Sequence, residues 1–71
     1  MTLEDVLRRY YQEHNVTQPE LADALEVSQT TIHNWLSGKS KIPIRHYFRV
    51  CRLCEARIKD FIPGEWASTL D

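Results

Sequence analysis

The chain is poor in residues that punctuate turns: two glycines and three prolines among 71 residues. Folds made of many short strands need such residues at frequent intervals, so the shortage points to an all-α fold. Cysteine is limited to two residues and no secretory leader is visible. A disulfide-stapled extracellular scaffold is therefore not expected, and both thiols are expected to be reduced. No apolar run approaches the roughly 18 residues that a membrane span requires, so the chain is expected to be soluble and cytoplasmic, with no membrane partner. No internal repeat, low-complexity tract or glycine-rich phosphate loop is present, and no nucleophile, base and acid can be assembled. The expectation is of a non-enzyme with no cofactor and no small-molecule ligand. The length allows one small domain, read as residues 1–64, followed by a polar tail, residues 65–71.

An excess of one charge sign is also missing. The formal net charge is −1, which by itself counts against a nucleic-acid partner. The distribution says otherwise. Residues 1–26 hold six acids against Arg8 and Arg9, whereas residues 39–59 hold Lys39, Lys41, Arg45, Arg49, Arg52, Arg57 and Lys59 against Glu55. A local basic surface can steer a polyanion even when the whole is near neutral.

The most ordered stretch runs from Thr17 to Gly38. Thr17 stands three residues before Glu20, the spacing of a capping box, and Pro19 falls in the first turn, where its missing donor costs nothing. Leu21, Ala22, Ala24 and Leu25 supply a core stripe. Glu26 and Val27 make a turn, and Ser28 suits the N-cap of a second helix over residues 29–37 that stops at Gly38. At about 100° per residue, Gln29, Thr30, His33, Asn34 and Ser37 share one face of that helix, while Ile32, Trp35 and Leu36 share the other. The outer face has no carboxylate and no aliphatic side chain. Gln and Asn can grip the N6/N7 edge of adenine in the major groove, and a Thr methyl can touch the thymine methyl. Gln29, Thr30, His33 and Asn34 are therefore the candidate base-reading residues.

These residues resemble the helix-turn-helix of the Cro and lambda-repressor superfamily of phage and bacterial regulators. The resemblance rests on Gln18, Ala22, Val27, Ile32 and Trp35, with Gly38 and Lys39 after them. It implies a compact lambda-repressor-like domain of four to five helices, with the motif at helices two and three. It also implies a Cro-type phage repressor in a bacterial host cell, binding double-stranded operator DNA as a weak homodimer. By the same resemblance Gln18 touches a phosphate, and the basic loop after the second motif helix lies over the DNA backbone. Ser28, Ser37, Lys39, Lys41 and Arg45 complete the candidate phosphate set. Glu26 stands where the family often has glycine, which strains the turn if its φ is positive. The rival reading is an antitoxin or assembly partner that uses a similar fold to bind protein.

On the N-terminal side, a first helix spans residues 3–14, capped by Thr2, with Leu3, Val6, Leu7, Tyr10 and Tyr11 on one face and Arg8 and Arg9 in solvent. On the C-terminal side, a fourth helix spans residues 44–54, with Ile44, Tyr47, Phe48, Cys51 and Cys54 inward and Val50 at the edge. Arg45, Arg49 and Arg52 lie opposite. A β-hairpin over residues 46–62 is the alternative. Ile58, Phe61 and Ile62 keep helical spacing until Pro63 and Gly64. Phe61, Ile62 and Trp66 are the candidate dimer contacts. Cys51 and Cys54 have C-x-x-C spacing, but no second ligand pair exists for zinc, and they read as thiols on an apolar helix face.

Overall fold

The structure, a computed structural model, describes residues 1–62. It contains four α-helices: α1 (Leu3–Glu13), α2 (Gln18–Leu25), α3 (Gln29–Ser37) and α4 (Tyr47–Cys54). Single 3₁₀ turns occupy Ile44–His46 and Ile58–Asp60. No strand occurs among the described residues, so the hairpin alternative for residues 46–62 is replaced by helix.

Each of the first two helices opens with a complete capping box. The Thr2 backbone N–H donates to the Asp5 carboxylate at 3.1 Å, and the Asp5 N–H donates to the Thr2 hydroxyl at 3.2 Å. Thr17 and Glu20 repeat the arrangement at 2.9 and 3.2 Å. Three helices end alike. Glu26, Gly38 and Glu55 take left-handed backbone angles with φ of 56°, 83° and 55°. The N–H of the next residue then reaches back to the last turn: Val27 to Ala22 O, Lys39 to Asn34 O and Ala56 to Cys51 O. This is the Schellman closure, which satisfies carbonyls that a helix end leaves bare. Abrupt stops let helices of eight or nine residues change direction within a few residues.

Leu3 and Leu7 of α1, Leu21, Ala22 and Leu25 of α2, Ile32 and Trp35 of α3, Ile42 of the loop after α3, and Val50 and Cys51 of α4 form one buried cluster. No polar or charged residue is buried among the described residues, so apolar burial carries the packing, at about 1.5–3 kcal/mol for each large aliphatic side chain.

The basic segment departs from expectation. Residues 44–54 are not one continuous α-helix, because a 3₁₀ turn precedes α4. Its three residues per turn shift the helical phase of α4. The inward stripe is Tyr47, Val50, Cys51 and Cys54, at i, i+3, i+4 and i+7. Val50 is fully buried, Cys51 is buried, and Tyr47 and Cys54 are half-buried. Ile44 and Phe48 are 45% and 64% exposed, since Phe48 lies roughly 100° from the centre of that stripe. Ala24 is likewise exposed rather than part of the core. Helix α1 ends at Glu13, with His14 as its cap. The stop at Pro63 and Gly64, the domain boundary at residue 64, and Trp66 lie outside the described residues.

Glu26 is the strained position expected from the sequence, and its carboxylate pairs with Arg49 of α4. Left-handed strain on a side-chain-bearing residue costs about 1 kcal/mol. An ion pair this exposed returns only about 0–1 kcal/mol. Glu26→Gly is expected to raise unfolding stability by about 0.5 kcal/mol in low salt, and by more in high salt, where the pair is already screened. Urea denaturation checks it, and a fall in the midpoint would show that the pair outweighs the strain. Glu20 gives a pH test. The Thr17 backbone and side-chain donors hold its carboxyl below the ordinary value. Its stabilising contribution is therefore complete above the unfolded value of about 4 and fades as pH falls through the lower folded value. Glu20→Gln is expected to flatten the acid limb of the stability–pH curve.

Candidate nucleic-acid interface

Helix α3 is placed by its inner face. Ile32 and Trp35 are buried, and the His46 ring sits tilted against the Trp35 ring at a centroid distance of 5.4 Å. Burial first, then the positive charges of Arg45 and Arg49, push the His46 imidazole below its ordinary value. It is therefore largely neutral at neutral pH.

The two ends of α3 are fixed separately. The Ser28 hydroxyl accepts from the Thr31 N–H at 3.1 Å and shares a 2.9 Å contact with the Thr31 hydroxyl. At the other end the N–H groups of Gly38, Lys39 and Ser40 converge on Asn34 O. A Cβ at position 38 would meet nothing within 4 Å; the positive φ alone asks for glycine there. Arg8 of α1, expected in solvent, instead donates from Nε to Leu36 O at 2.9 Å, and its Nη1 meets the Asp5 carboxylate at 2.9 Å. A guanidinium on the last-turn carbonyl satisfies an orphan acceptor and opposes the negative helix end.

With α3 so held, Gln29, Thr30 and His33 are exposed and Asn34 is half-buried. Their side chains form no hydrogen bond with any described residue, so their donors and acceptors face outward unused. Ser37 is exposed, and its hydroxyl donates to Asn34 O at 3.4 Å. Gln18, at the start of α2, is half-buried. It lines a shallow groove with His33 and Ser37, so one candidate phosphate contact sits beside the α3 face. The Ser28 hydroxyl is engaged as the cap of α3.

Beyond Gly38 the chain turns through Lys39, Ser40 and Lys41 to the buried Ile42. Lys39, Lys41 and Arg45 are all exposed, and none makes an ion pair among the described residues. Arg49 instead pairs with the Glu26 carboxylate. In the sequence, Glu4 of α1 has the look of a favourable charge at a helix start and nothing more. In the structure its carboxylate accepts the Ile42 N–H at 2.7 Å. Of the candidate dimer contacts, Phe61 packs partly against the chain's own core and Ile62 is half-buried. No group of three or more His, Cys, Asp and Glu side chains that could hold a metal occurs among the described residues.

A helix-turn-helix family model matches residues 7–61, more than half of the chain. Comparison with curated proteins and with solved structures finds no match. The chain belongs to the helix-turn-helix family of DNA-binding regulators, and its all-helical architecture is the lambda-repressor-like one, with the motif at α2 and α3.

The two thiols face the interior side of α4. Burial, with Cys51 nearby, pushes Cys54 up to about 11, and burial raises Cys51 as well. Because the thiolate is the nucleophile, alkylation of both at neutral pH is expected to be slower than that of a free small-molecule thiol. A rate for Cys54 equal to that of the free thiol would mean that its burial is not maintained in solution.

Proposed function

We propose, from this membership and from the face that α3 turns outward, that the chain is a sequence-specific transcriptional regulator of the Cro type that represses by occupying operator DNA as a dimer. One observation carries the reading. The exposed side of α3 presents Gln29, Thr30, His33 and Asn34 without a carboxylate and without internal hydrogen bonds, and it leads directly into a cationic loop. A solvated helix face usually carries Glu and Lys. A face of amides, hydroxyl and imidazole matches the donor and acceptor pattern of base edges in the major groove. In this arrangement α3 enters the groove. Gln29 and Asn34 read base edges, Thr30 and His33 add contacts, and Gln18, Ser28, Ser37, Lys39, Lys41 and Arg45 flank them on the phosphates. The Ser28 hydroxyl accepts the Thr31 N–H as the helix cap, and its own O–H can still donate to a phosphate when the Thr31 hydroxyl is the donor of their shared contact.

A dimer would present two copies of α3 to successive major grooves about 34 Å apart on a two-fold-symmetric site. Phe61, Ile62 and Trp66 are the proposed contacts of that dimer. Residues 1–64 would form the DNA-binding domain and residues 65–71 its tail.

Selection of bound sequences from random duplex DNA tests the reading. A symmetric site with half-sites one helical turn apart is expected. Recovery of no preferred site, with tight capture of a protein partner instead, would favour the antitoxin-like alternative. On the selected site, Gln29→Ala or Asn34→Ala is expected to cost roughly 1–3 kcal/mol and to relax specificity at one position. Lys41→Ala is expected to weaken all sequences alike and to lower the salt slope by about one.

A further inference from the structure

We infer that Glu4 is a positioning residue for DNA binding, acting by holding the backbone of the basic loop rather than by touching the nucleic acid. The inference rests on the DNA-binding reading above and adds a residue to it. The loop from Lys39 to Lys41 leaves α3 at a Schellman closure and has no regular structure of its own until the turn at Ile44. Its far end is fixed at Ile42, whose side chain is buried and whose N–H is held by the Glu4 carboxylate at 2.7 Å across 38 residues of sequence. The near end is fixed by Arg8, one helical turn further along α1, on Leu36 O at 2.9 Å. Two side chains from one face of α1 therefore grip the backbone on either side of the loop. The two lysines project from a segment pinned at both ends.

A pinned loop meets the phosphates already ordered, so less conformational freedom is lost on binding. Charge alone argues the other way. A carboxylate beside Lys41 repels a polyanion, and removing it should tighten binding by simple electrostatics. The two effects have opposite signs and can be separated at one position. Glu4→Gln keeps the reach and a carbonyl acceptor but loses the charge. Glu4→Asp keeps the charge and the favourable first-turn acid, but is one methylene too short to reach the Ile42 N–H.

The test measures wild type, E4Q and E4D on the same duplex across a range of salt, with amide exchange of Ile42 monitored in the free proteins. Binding by wild type tests the DNA-binding reading itself, and the variants test this inference. E4Q is expected to bind as well as wild type or better, with the Ile42 amide still protected. E4D is expected to bind roughly three- to ten-fold more weakly, with a salt slope lower by up to about one phosphate contact and a faster-exchanging Ile42 amide. Equal affinity of E4D and wild type overturns the inference, as does an equal loss in both variants. Loss of Ile42 protection in E4D with unchanged affinity assigns Glu4 to stability alone, and also overturns it.

Discussion

Burial of Ile32 and Trp35 decides what the rest of α3 can do. A nine-residue helix is too short to persist by its own hydrogen bonds. Its existence and its rotation about its own axis both come from these two anchors in the shared core. Once they face inward, the roughly 100° step of the helix turns Gln29, Thr30 and His33 outward, with Asn34 at the margin. The outward chemistry is thus a consequence of an inward packing decision. Secondary ties act on the same helix. Ser28 closes its start, Gly38 and Arg8 close its end, and His46, held neutral by burial and neighbouring arginines, packs on the Trp35 ring.

The small core can support this because the helices waste little chain between them. Capping boxes at Thr2 and Thr17 start α1 and α2, and left-handed closures at Glu26, Gly38 and Glu55 stop α2, α3 and α4, within a residue or two. Two of those closures use glutamate where glycine would be unstrained. At Glu26 the strain is partly offset by the contact to Arg49, which also ties the motif's turn to α4 and takes one arginine out of the cationic surface. The cations that remain nearest the exposed face of α3 along the chain are Lys39, Lys41 and Arg45.

Much of this is legible from residues alone, for a definite reason. Caps, closures and the two faces of α3 are local: Thr17 with Glu20, Gly38 after Ser37, and polar against apolar residues at a 3.6 period. The left-handed backbone of Glu26 also depends only on its neighbours. Periodicity misleads where the local phase is interrupted. The 3₁₀ turn over Ile44–His46 rotates α4 about its axis, so Phe48 faces outward and Val50 becomes the fully buried side chain. Long-range contacts to backbone leave no trace in the sequence pattern. Nothing in the periodicity of α1 says that Arg8 will meet Leu36 O or that Glu4 will meet the Ile42 N–H, because a backbone acceptor or donor is the same at every residue. The base-reading set can be inferred from surface chemistry on one helix. The surface that pairs two copies cannot, since Phe61 has a place against its own core and Trp66 lies beyond the described residues.

The most direct measurement is a residue-resolved map of contact: amide and side-chain NMR shifts of the protein titrated with a duplex of its selected site. The largest shifts are expected at Gln29, Thr30, His33 and Asn34 and along Lys39–Arg45, with the Trp35 indole nearly unmoved. Shifts centred instead on Phe48 and Arg52, with the α3 side chains unaffected, would contradict the placement of α3 against bases.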